Sequence, residues 1–107
     1  AISEDMLQSW TGQDSLLNIT QLNLHGQAIR RVEPLAQCAN LESLVLSCNE
    51  VQKIEGLGGL AGLTFLDLSF NKIKRVTSMS VLQSLISLNM SYNLIAKLED
   101  VSMIKQQ

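Results

Sequence analysis

Apolar and polar positions in residues 63–76, LTFLDLSFNKIKRV, follow neither a helical nor a strand period throughout. Leu63, Leu66 and Leu68 are spaced like a strand with one extra step. An asparagine then follows, and Ile73 and Val76 come behind it, three apart. The whole pattern recurs without gaps every 22 residues, starting at Ile19, Leu41, Leu63 and Leu85. Repeat position 4 reads Leu22, Leu44, Leu66, Leu88, and position 6 reads Leu24, Leu46, Leu68, Met90. Position 11 is Ile29, Val51, Ile73, Ile95, and position 14 is Val32, Ile54, Val76, Leu98. Position 17 is Leu35, Leu57, Met79, Val101, and position 20 is Cys38, Leu60, Leu82, Ile104. Such a unit cannot bury its apolar face alone, so four units must stack to share one core.

Position 9 reads Gln27, Asn49, Asn71, Asn93. Where a chain turns out of a strand over a core, its backbone donors and acceptors need partners. An asparagine amide has two donors and two acceptor lone pairs, so a ladder of Asn49, Asn71 and Asn93 is expected to bond to the turns above and below. Gln27 departs from the column, as a terminal unit would.

The spacing resembles L-x-x-L-x-L-x-x-N-x-L, the leucine-rich repeat pattern, in its short 22-residue form, over residues 19 to 106. It is most similar to the intracellular class that includes a nuclear regulatory subunit of protein phosphatase 1, the outer-arm dynein light chain, axonemal dynein assembly factors and the spliceosomal A-prime protein. Bacterial internalins share the period. The opening segment, ISEDMLQSWTGQDSLLNITQLNLHG, resembles the start of several ciliary members. The resemblance implies an α/β fold, a right-handed solenoid. A parallel sheet would line the concave face, with short turns or 3-10 helices on the convex face and a capping helix at the N-terminus. Residues 1–18 would form that cap and a linker, and residues 19–107 the four repeats.

The cap is legible from the residues themselves. Ser3 suits the N-cap, Glu4 and Asp5 suit the first turn, and Ile2 and Leu7 occupy the hydrophobic-staple positions. Gly12 is a natural stop. Met6, Leu7 and Trp10 form an apolar stripe, and Trp10 is expected in the core. At the other end the class usually adds a segment with an asparagine-proline turn and a tyrosine, and the only proline here is Pro34. The chain therefore reads as a piece of a longer protein, with an open C-terminal strand edge that predicts either self-association or marginal stability of the piece alone.

Alternation along a strand turns positions 3, 5 and 7 away from the core. Position 3 gives Gln21, Ser43, Phe65, Ser87; position 5 gives Asn23, Val45, Asp67, Asn89; position 7 gives His25, Ser47, Ser69, Ser91. Position 8, at the turn, gives Gly26, Cys48, Phe70, Tyr92. Phe65, Phe70, Tyr92 and Val45 are thus large apolar residues on a surface, the mark of a partner site. Ser43, Asp67, Asn89, Asn23 and His25 complete the candidate face. Phe70 and Tyr92 also have a purely structural role open to them, packing on each other across adjacent turns. Phe65, between two serines in its column, has none.

Composition narrows the function. A net charge of -2 argues against a nucleic-acid surface, and no apolar run is long enough to cross a membrane. The first residues lack a secretion pattern, and Cys38 and Cys48 make no disulfide framework, so a reduced, cytoplasmic setting is expected. His25 and Cys48 lie in neighbouring repeats, but the pattern offers no oxyanion donor or deep pocket. No ligand spacing for a metal is present, and no cofactor is expected. Glycines 56, 58, 59 and 62 miss the dinucleotide fingerprint and are expected to let the convex backbone pass close to its neighbours. Asn18 and Asn89 begin glycosylation sequons by spelling, which carry no meaning in the cytosol. Arg30, Arg31, Lys53, Lys74, Arg75 and Lys97 form a basic stripe at positions 12 and 13, expected to pair weakly with Glu33, Glu55 and Glu99 at position 15. The expectation is a non-catalytic module binding a partner helix or peptide on its concave face, in a cytoplasmic assembly such as a cilium or axoneme. The alternative is an internalin-like bacterial surface adhesin.

Overall fold

The structure, a computed structural model, describes residues 2–74 and 82–94 and the backbone of 75–76 and 97–98. Helix α1 spans Glu4–Thr11. Its start follows from Ser3, whose Oγ accepts a hydrogen bond from the Met6 N–H at 3.2 Å, and from Glu4 and Asp5 in the first turn. Its end follows from Gly12, which takes φ 72° and donates its N–H to the Gln8 carbonyl. Leu7 and Ile2 are buried in the common core. Trp10 is not: it stays 44% exposed, because its face of the helix overhangs a groove beside the first repeat.

A 3-10 turn at Leu16–Asn18 leads into strand β1, Gln21–Asn23. Strands β2 (Ser43–Val45), β3 (Phe65–Asp67) and β5 (Ser87–Asn89) follow at the repeat spacing. They form one parallel sheet in the order β1-β2-β3-β5. The register is the repeat itself: Leu22 faces Leu44, Leu44 faces Leu66, and Leu66 faces Leu88. Each central residue is buried between outward-facing neighbours, as strand alternation requires. A second parallel pair, β4 (Arg75–Val76) with β6 (Lys97–Leu98), sits on the return path of the last two repeats. The sequence pattern does not announce this ladder, since positions 13 and 14 read as a charged residue followed by a core residue.

The apolar columns build the core. Ile19, Leu41, Leu63 and Leu85 are buried, as are Leu22, Leu44, Leu66 and Leu88. The first three members of positions 6 and 11 are buried too, and Met90 is half-buried against them. Burying one such side chain stabilises by roughly 1.5–3 kcal/mol, so stacking the columns is the dominant favourable term. On the convex side the first repeat makes a 3-10 helix at Glu33–Gln37, with Pro34 in its first turn. The second repeat has Gly56 at the equivalent position, with φ 77°. A Cβ there would lie 3.0 Å from the Glu33 Cα, so this glycine does permit close passage. Gly59 and Gly62 have no neighbour within 4 Å of such a Cβ, and the same expectation fails for them.

Of the expected C-terminal layer, Leu88 is buried and Met90 half-buried, whereas Ile95, Val101 and Ile104 lie outside the described residues, as do Met79 and Glu99. No described helix is long and apolar enough to cross a membrane.

Candidate protein-binding face

The sheet aligns the candidate residues in rows. Gln21, Ser43, Phe65 and Ser87 form one row, and Asn23, Val45, Asp67 and Asn89 the next. Neighbours within a row are about 4.8 Å apart. Phe65 is 38% exposed, while Ser43, Val45 and Asp67 are half-buried and Asn23, Asn89 and His25 are exposed. Ser47 and Ser69 depart from the outward assignment of position 7: both are buried, Ser47 against the His25 ring and Ser69 against the Asp67 carboxylate, while His25 and Ser91 are exposed.

Short hydrogen-bonded turns end the strands. The Asn23 Oδ1 accepts from the His25 N–H at 3.1 Å, and the Asn89 Oδ1 accepts from the Ser91 N–H at 3.0 Å. The Asp67 Oδ1 accepts from both the N–H of Ser69, at 2.9 Å, and its hydroxyl, at 2.7 Å. Position 8 then enters the left-handed region in every repeat: Gly26 at φ 67°, Cys48 at 58°, Phe70 at 56° and Tyr92 at 59°. For a residue with a Cβ this conformation costs roughly 1–2 kcal/mol. It swings the position 8 side chain outward and the following asparagine inward.

The asparagines hold that turn. The Asn49 Oδ1 accepts from the N–H groups of Gln27 and Ile29, both at 2.9 Å. Its Nδ2 reaches the carbonyls of Leu24, Leu46 and Ser47. The Asn71 amide repeats this with the Val51 N–H and the Leu46, Leu68 and Ser69 carbonyls. Asn93 does so with the Ile73 N–H and the Leu68, Met90 and Ser91 carbonyls. The ladder is one-sided. Each amide bonds to its own turn and the preceding repeat, not to turns on both sides, because the αL step points it backward along the solenoid.

Phe70 and Tyr92, pushed outward by the same step, stack with ring centroids 4.4 Å apart and planes 8° from parallel. They remain 52% and 73% exposed. The pair therefore packs on itself and still presents an open aromatic surface past the end of the strand that carries Phe65 and Asp67. His25 does not pair with the Cys48 thiol; its Nδ1 lies 2.6 Å from the Ser47 Oγ. Burial raises the Cys38 thiol above its ordinary pKa, which keeps it protonated and unreactive. Among the described residues no three His, Cys, Asp or Glu side chains converge as metal ligands would. Among the described residues the charged stripes do not pair as expected either. Arg30 meets Glu50 at 3.0 Å, a position 10 residue of the next repeat, in place of a position 15 glutamate.

Three apolar residues outside the predicted set are exposed: Leu17, Ile86 and Leu94. The columns carry a signal for two of them. Position 2 reads Thr20, Glu42, Thr64 and then Ile86, and position 10 reads Ala28, Glu50, Lys72 and then Leu94. A groove of about 660 Å³ also lies between α1 and the first repeat, lined by Met6, Trp10, Ile29, Arg31 and Pro34 among others.

An internalin from Listeria monocytogenes shares this architecture, with a TM-score of 0.61 and 28% sequence identity. The match covers 70% of this chain and 21% of the internalin, so the chain corresponds to about a fifth of that protein's length. No curated protein sequence matches the chain. The leucine rich repeat family matches residues 17–73, across the first two repeats and into the third. With that match and the stacked 22-residue units, the chain belongs to the leucine-rich repeat family.

Proposed function

We propose that this chain is a non-catalytic protein-binding module that grips a helix or peptide of another protein on its concave face. The observation that carries the reading is the exposed aromatic surface made by Phe65 and the stacked Phe70 and Tyr92 on a face whose other residues, Val45 apart, are polar or small. Aromatics so placed lose little side-chain freedom on binding and are frequent hot spots. Affinity capture compares the wild-type chain with Phe65→Ala and with the convex variant Lys53→Ala. A partner retained by wild type and Lys53→Ala but lost by Phe65→Ala supports the reading. Loss with Lys53→Ala alone moves the site to the convex rim.

The setting follows the intracellular class that the N-terminal segment resembles: cytoplasmic, in a ciliary or axonemal assembly. The same proposal includes self-association near the fourth repeat, where Ile86 and Leu94 are exposed, tested by sedimentation over a concentration series. A second reading, an adhesin domain at a bacterial surface, is favoured by the likeness to the internalin. Antibody labelling of intact and permeabilised source cells separates the two. Labelling of intact cells selects the adhesin, and labelling only after permeabilisation selects the cytoplasmic assembly.

A further inference from the structure

The four repeats allow an internal comparison at position 5. Asn23, Asp67 and Asn89 each close the same turn, with one Oδ1 accepting the N–H two residues on. Asparagine performs that duty in two of the three. The turn therefore does not need the charge of Asp67, and both of its hydrogen bonds among the described residues fall on Oδ1. The second oxygen and the negative charge are surplus to the fold. Across positions 3, 5, 7 and 8 of all four repeats Asp67 is the only carboxylate, and there is no lysine or arginine. Asp67 is also half-buried, so a charge brought to it is less screened by water and salt than one at an open rim.

Its partners across the sheet are Val45 and Asn89, and aromatic residues come before and after it along the chain. Phe65 lies two residues back on the same face of β3, about 6.6 Å along the strand. The Phe70–Tyr92 stack stands past the end of the same strand. A carboxylate with exposed aromatic residues before and after it on the same face complements a cation that is itself flat or carried on an apolar stem. The ring faces attract the positive charge and the carboxylate accepts its N–H groups.

We propose that the concave face recognises a basic side chain of its protein partner, an arginine or lysine seated on Asp67 between Phe65 and the Phe70–Tyr92 stack. This rests on the concave-face reading above and adds the chemistry of the contact. Randomised peptides selected on the immobilised 107-residue chain supply the probe. The selected peptides share one lysine or arginine. Changing it to glutamine weakens binding about tenfold or more, and Asp67→Asn does the same. The two changes together cost no more than either alone, as for two groups that contact each other. Added salt weakens wild-type binding and leaves the binding that Asp67→Asn retains unmoved. The amide introduced by Asp67→Asn keeps the acceptor for Ser69, so the variant's melting temperature stays at the wild-type value. Selected peptides that Phe65→Ala or Tyr92→Ala releases but Asp67→Asn does not would overturn the basic contact and leave the concave face standing. Indifference to all three variants would overturn both.

Discussion

From a buried position Asn71 accepts one hydrogen bond and shares the two N–H groups of its amide among three carbonyls. Substituting alanine strands the Val51 N–H, while the Leu46, Leu68 and Ser69 carbonyls each keep one donor, from the Asn49 amide, the Asn93 amide and the Cys48 N–H. A buried group left without a partner costs about 1–3 kcal/mol. Asn71→Ala is therefore expected to cost about 1–3 kcal/mol in chemical denaturation. Asn71→Asp is the sharper probe. It keeps the acceptor but has no donor and buries a charge, so it should destabilise as much as alanine or more. A mild effect from aspartate would mean that the accepted bond alone holds the turn. At Phe70 two terms oppose each other: the αL backbone strain and the stack on Tyr92. Phe70→Ala loses the stack and keeps the strain, while Phe70→Gly loses both. The glycine variant is expected to be the more stable of the two by about 1 kcal/mol, measured in the same way.

Each strand of the four-stranded sheet is three residues long and gains its stability from the layer it joins. Leu66, fully buried in β3, should lose about 2–5 kcal/mol on truncation to alanine. Its neighbour Phe65 faces outward, and Phe65→Ala should leave the thermal midpoint near wild type. Equal losses would invert the two faces of β3. On the convex side, Gly56→Ala meets both a left-handed φ and the Glu33 backbone, and is expected to cost about 1–3 kcal/mol. These elements differ in how legible they are. The core columns, the parallel register and both ends of α1 can be read from spacing and capping chemistry alone, because burial imposes a strict period on the residues that undergo it. Trp10 escapes such a reading because an apolar stripe gives the helix face, not how far the neighbouring repeat reaches beneath it. The columns put Phe70 and Tyr92 on the surface, where they are, but only Gly26 at the head of that column signals their left-handed backbone. The backward direction of the asparagine ladder has no sequence signal, since the amide of asparagine satisfies turns on either side equally well. The surplus charge of Asp67 emerges only once the shared hydrogen bond of Asn23 and Asn89 is seen.

Across the molecule each repeat contacts its neighbours, so stability is close to a sum of repeat and interface terms. The sheet order β1-β2-β3-β5 gives β2 and β3 a described strand on both sides, and gives β1 and β5 one each. Burial follows the same gradient: Leu44 and Leu66 are fully buried, whereas Leu22 and Leu88 retain 5% and 6% exposure. A cavity between two layers has walls that cannot collapse, while one near an end relaxes more easily, and residual cavity volume sets much of the cost. The four equivalent truncations should therefore separate. Leu44→Ala and Leu66→Ala should fall in the upper part of the roughly 2–5 kcal/mol range, and Leu22→Ala and Leu88→Ala in the lower part. Denaturant titration of the four variants measures this, and hydrogen exchange of the wild type gives an independent reading, with the amides of β2 and β3 slowest. A uniform cost across all four would mean that the described chain unfolds as a single unit whose ends are packed as tightly as its middle. A graded cost would place the most rigid part of the sheet beneath Phe65 and Asp67, where a rigid support limits the ordering lost on binding.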